Sequence, residues 1–145
     1  MSAPDSNSFA ARLRWLMGSP IGAALGALAY GAWAVYANLD GGTALALRAG
    51  ALHWATSATL TFTSAAAMRG AYARTRTQAG GAVAAFSGGM VYTYAALIIV
   101  HTVNGSPHIW LTLAPGLIPT ILFCVTYAAL LARERRPETV ALIES

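Results

Sequence analysis

Four long apolar stretches divide the chain, with short polar segments between them. The first runs from about Ser19 to Leu39, the second from about Thr43 to Met68, the third from about Gly81 to Val103 and the fourth from about Ile109 to Ala132. Each spans about 20 residues or more, enough for a helix rising ~1.5 Å per residue to cross a hydrocarbon core of about 30 Å. None alternates with the period of two expected of a strand, and all are rich in Ala and Leu, so the pattern predicts helices. Pro20 suits a first helical turn, where its missing N–H leaves no bond unmade. The segments 38–42 (Asn-Leu-Asp-Gly-Gly) and 104–107 (Asn-Gly-Ser-Pro) have turn composition. Such short connections make neighbouring helices antiparallel. The expected fold is an all-α bundle of four transmembrane helices, one domain covering residues 1–145, with mobile ends at Met1–Ala11 and Pro137–Ser145.

Charge gives this bundle an expected orientation. The chain has nine Arg and Lys residues together, and all are arginine. Arg12 and Arg14 precede the first stretch; Arg69, Arg74 and Arg76 fall between the second and third; Arg133, Arg135 and Arg136 follow the fourth. The other turns hold none. Cationic residues in short loops remain in the cytoplasm, so the expected topology is N-in and C-in, in a bacterial-type inner membrane. A competing reading takes Arg12, Arg14 and the run toward Ala32 and Ala34 as a cleaved signal peptide. Trp33 and Tyr36 flank such a site poorly.

Composition agrees with a bilayer as solvent. Of 145 residues, 57% are hydrophobic and 10% charged, whereas soluble domains are about a quarter charged. The net charge of +4 belongs to the cytoplasmic flank and its anionic lipid; no soluble basic face with interleaved aromatics points to nucleic acid. The single cysteine, Cys124, has no internal disulfide partner.

Small residues and prolines mark helix contacts. Gly18, Gly22 and Gly26 recur every fourth residue, a smooth stripe for close helix packing within the bundle or between copies. The pairs Gly80-Gly81 and Gly88-Gly89 are expected to receive such a stripe. In the fourth stretch, Pro115 and Pro119 each remove one backbone bond, Pro115 freeing the carbonyl of Leu111 and Pro119 that of Pro115. A kink or break is expected there, and with it a hinge.

The second stretch carries the residues that are costly in hydrocarbon. Arg48 lies about five residues inside the outer boundary, where it snorkels, pairs with Asp40, or offers a guanidinium to an anionic group. His53, Ser57, Thr61 and Ser64, at spacings of four, four and three, form one polar face. That face is expected to lie inside the bundle, as helix-to-helix bonding or as the wall of a ligand cleft. The topology brings Asp40, Arg48, His101, Asn104 and His108 to the same side. His101, His108 and Asp40 have the chemistry of zinc ligands but not the spacing, so no metal site is assigned. No Asp or Glu lies inside any stretch, and no paired carboxylates, phosphate cradle or activated nucleophile implies catalysis or a cofactor.

The expected function is therefore non-enzymatic: a small polytopic membrane protein that handles or transports an anionic lipid or lipid-linked intermediate. Arg48, His53, His101, Asn104 and His108 are the expected ligand-binding residues, with movement at Pro115 and Pro119. Membrane lipids, a homo-oligomer or a larger membrane partner are the expected associates. The alternative is an accessory or scaffold subunit of a larger membrane complex.

Overall fold

Helices form at all four apolar stretches. In the computed structural model, which describes residues 20–134, they are α1 (Pro20–Ala37), α2 (Thr43–Ala73), α3 (Gln78–Asn104) and α4 (Ile109–Glu134), with one 3-10 turn at Leu39–Gly41. Arg12, Arg14, Trp15, Gly18, Arg135 and Arg136 lie outside the described residues, as do the surroundings of Gly22. By length and composition, α3 and α4 can each cross a membrane.

Local chemistry sets the helix ends. Gly42, with φ +94°, turns the chain into α2. The Thr77 side chain accepts the backbone N–H of Gly80 and caps α3 at its start. Helix α3 stops at Gly105, whose φ of +72° suits a residue without Cβ. There the Gly105 N–H bonds the Thr102 carbonyl and the Ser106 N–H bonds the His101 carbonyl, the paired closure of a Schellman motif. Helix α2 runs past the expected end at Met68 to Ala73, and the Arg69–Gln78 loop contracts to residues 74–77. Ala, Met and Arg are good helix formers, and nothing before Arg74 stops the helix. Arg69, on this added turn, donates to the Tyr127 hydroxyl of α4 at 2.5 Å.

Sequential neighbours pack against one another, α1 on α2, α2 on α3 and α3 on α4; α1 and α4 touch far less. Tyr72 near the end of α2 meets Gly81 near the start of α3, and Arg48 near the start of α2 meets Asn104 at the end of α3, so this pair is antiparallel. Helix α4 is unbroken from Ile109 to Glu134 despite Pro115 and Pro119. The expected break is replaced by a substitute bond. The Leu111 carbonyl, freed by Pro115, accepts the indole N–H of Trp33 at 2.9 Å.

Small residues bring helices close, though not along the expected stripe. A Cβ built on Gly26 meets no atom within 4 Å. The close approach of α1 and α2 is instead at Gly31 and Gly50. A Cβ on Gly50 would lie 2.8 Å from the Gly31 carbonyl oxygen, and one on Gly31 would lie 3.0 Å from the Gly50 carbonyl oxygen. In α3, Gly81 faces Tyr72, Gly88 faces Ala71, and Gly89 fits against Met68 and Cys124. The glycine pairs of α3 thus receive α2 and α4 rather than α1.

The burial pattern is inverted relative to a water-soluble bundle. Two small apolar clusters, one around Met68, Ala85, Cys124 and Ala128 and one formed by Leu60, Leu97 and Leu113, fill part of the interior. The other buried positions are largely alanines and polar residues, among them Asn38, His53, Ser64, Thr93, His101, Asn104, Ser106 and Thr112. Large apolar side chains such as Val83, Val91, Trp110 and Ile118 point outward, each about two-thirds exposed or more.

Candidate binding cavity and its hydrogen-bond chain

All four helices enclose a cavity of about 450 Å³, partly open to the outside. Helix α1 contributes Gly26, Ala27 and Tyr30 to its wall; α4 contributes Leu113, Gly116, Pro119, Thr120 and Phe123. The polar face of α2 lines it, with His53, Ser57, Thr61 and Ser64 all present. Thr93, Tyr94 and Leu97 of α3 complete the wall. Gly26, open in the absence of a contact, and Pro119 are therefore cavity positions. Two further hydroxyls on α2, those of Thr59 and Thr63, and that of Thr61 bond back to carbonyls four residues earlier in the helix, satisfying themselves locally.

A chain of hydrogen bonds leads from the outside of the bundle to this cavity. Arg48, whose side chain is largely exposed, donates from Nε to the Asn104 side-chain oxygen at 2.5 Å and from Nη2 to the Asn104 carbonyl at 3.0 Å. It thereby caps the last carbonyl of α3, where a cation also complements the helix dipole. Asn104 Nδ2 donates to Ser106 Oγ at 3.0 Å. Ser106 Oγ lies 3.0 Å from His101 Nδ1, and His101 Nε2 lies 2.8 Å from His53 Nδ1. The Schellman closure folds Ser106 back over His101 and makes the contact possible. His53, His101, Asn104 and Ser106 are all buried, His53 at 3% exposure.

The five expected site residues are thus divided. Arg48, Asn104, His101 and His53 join one chain, and only His53 reaches the cavity wall. His108 is elsewhere. Its Nε2 pairs with Asp40 Oδ2 at 2.6 Å, both side chains being exposed. The hydrogen bond from His108 is the main cause that holds the Asp40 carboxyl below its ordinary value of 3.8. Asp40 therefore pairs with His108 and not with Arg48. Among the described residues no group of three or more His, Cys, Asp or Glu side chains could hold a metal ion; His101 and His108 lie in separate networks.

Three participants escape a reading of the sequence alone. Asn38 is fully buried and donates from Nδ2 to both the Ala34 carbonyl and Thr112 Oγ1, tying α1 to α4. Trp33 ties the same two helices at Leu111. Ser106 links the two halves of the hydrogen-bond chain. For Ser106 a signal exists: Asn-Gly after a helical run predicts a left-handed closure that returns the next residue to the last turn.

Comparison with protein families, with curated proteins and with solved structures gives no match.

Proposed function

We propose that the chain is a four-span membrane protein, N-in and C-in, that binds an amphiphile in the cavity between its helices. One observation carries this reading. The cavity of about 450 Å³ is walled by aliphatic and aromatic side chains interspersed with hydroxyls from all four helices and the His53 imidazole of α2, the mixed lining that suits a small amphipathic molecule. The inverted burial supports the bilayer setting, because polar side chains in a membrane protein face the bundle interior. The sparse contact between α1 and α4 supports an entrance from the side. Arg48 lies outside the cavity wall, so this reading does not require a negative charge on the amphiphile.

The test uses a spin-labelled single-chain amphiphile and the full chain in nanodiscs of unlabelled lipid. Gly26 and Gly116 both line the cavity, and a Cβ on either meets nothing within 4 Å, so Gly26→Phe and Gly116→Phe fill it without displacing a neighbour's backbone. An immobilised spectral component in the wild type that both variants lose is the expected result. Equal immobilised fractions in all three proteins would exclude the cavity as the site.

A further inference from the structure

Resting on the amphiphile reading, we infer that the cavity presents one hydrogen-bond donor of fixed direction, His53 Nε2–H, among hydroxyls that can either donate or accept, and so favours an uncharged amphiphile whose polar end is a carbonyl acceptor. The direction of the donor is set from the far end of the hydrogen-bond chain. The Arg48 guanidinium offers only donors. Its Nε–H must therefore meet the oxygen of the Asn104 amide, which turns the amide nitrogen toward Ser106. Ser106 Oγ accepts that N–H. The hydroxyl proton of Ser106 then has His101 Nδ1, 3.0 Å away, as its acceptor. Were His101 Nδ1 protonated instead, Ser106 Oγ would receive two donors and its own buried proton would lack an acceptor.

With Nδ1 of His101 accepting, the neutral ring carries its proton on Nε2 and donates to His53 Nδ1 at 2.8 Å. The same rule then places the proton of His53 on Nε2. That atom belongs to a side chain only 3% exposed and built into the cavity wall. Every bond in the series runs one way, from Arg48 through Asn104, Ser106 and His101 to His53. A neutral donor in a wall without charged side chains favours a neutral acceptor, and unlike the lining hydroxyls this one cannot turn to accept. An ester or ketone carbonyl satisfies it, whereas a hydrocarbon leaves the donor unmet.

Nitrogen-15 NMR of the full chain in lipid bilayers, labelled at histidine and assigned with His108→Gln, reads the tautomers directly. Proton on Nε2 in both His53 and His101 at neutral pH is expected. A proton on Nδ1 of either ring, or a cationic ring, overturns the inference. Ligand preference is read by displacing the spin-labelled amphiphile with a long-chain methyl ketone or with the alkane of equal length. The ketone is expected to bind about tenfold tighter, the effect of one hydrogen bond. Arg48→Met, which touches no part of the cavity wall, is expected to bring Nδ1–H signal into the His101 and His53 spectra and to shrink the ketone preference while alkane affinity holds. Alkane binding without ketone preference overturns the inference alone. Binding of neither molecule overturns the amphiphile reading as well.

Discussion

Replacing Gly50 by alanine is expected to destabilise the protein, although alanine is the better helix former. The substitution adds one methyl group on the face of α2 that meets α1. That methyl would lie 2.8 Å from the Gly31 carbonyl oxygen and would overlap Val35 Cγ2. Neither neighbour can give way cheaply. The carbonyl belongs to the α1 backbone, and a β-branched valine has one strongly preferred rotamer in a helix. The helices must therefore separate. Overpacking of this kind costs about 1–3 kcal/mol, against a propensity gain of about 1 kcal/mol for Gly to Ala. The net expectation is a loss of up to about 2 kcal/mol. Gly26→Ala supplies the control on α1, because its new methyl group meets nothing within 4 Å and only the propensity gain of up to about 1 kcal/mol remains. Reversible unfolding of the purified protein in mixed micelles measures both. Equal stability of the two variants, or a more stable Gly50→Ala, would refute the assignment of Gly31 and Gly50 as the point of closest approach.

Two further outcomes follow from bonds described above. Trp33→Phe removes the donor to the carbonyl freed by Pro115 and should cost about 1 kcal/mol; in a Pro115→Ala background, where the backbone N–H returns to Leu111, the same change should cost measurably less, and a double-mutant cycle with no coupling would contradict the substitute bond. The Asp40 carboxyl, held below 3.8 mainly by the His108 hydrogen bond, should titrate below that value in carbon-13 NMR and move up in His108→Ala. Because a depressed carboxyl stabilises the fold above its unfolded value and loses that contribution as pH falls through its folded one, the turn should loosen only on the acid side of about pH 4, and Asp40→Asn should abolish that acid-side change.

Much of the helical frame is legible in the sequence because long apolar runs bounded by Asn-Gly and Gly-Gly turns leave few alternatives. The far end of α2 is not, since residues 69–73 continue the helix without being apolar enough to read as part of a span. The polar face of His53, Ser57, Thr61 and Ser64 is legible as a face, being a matter of helical period alone. Its partner is less so. That His53 meets His101, while Arg48 meets Asn104, depends on how far α2 slides along α3, and hydropathy does not set that offset. The Gly18–Gly22–Gly26 stripe shows the same limit in reverse. A smooth face can pack or can leave a space, and Gly26 leaves one.

The buried row of α3 runs Gly81, Ala85, Gly89, Thr93, Leu97 and His101 before a last step of three to Asn104, a repeat of four along most of a helix that turns every 3.6 residues. Contact rows shorter than the natural turn wind left-handed and keep helices alongside each other; longer ones wind right-handed, as in small-residue crossings of about −40°. The row holds α3 against α2 from Gly81 at Tyr72 to Asn104 at Arg48, so the empty volume lies on the side where glycines of the other two helices, Gly26 and Gly116, face it. Closing it would therefore take side chains at those two glycines, with the α2–α3 seam left as it is.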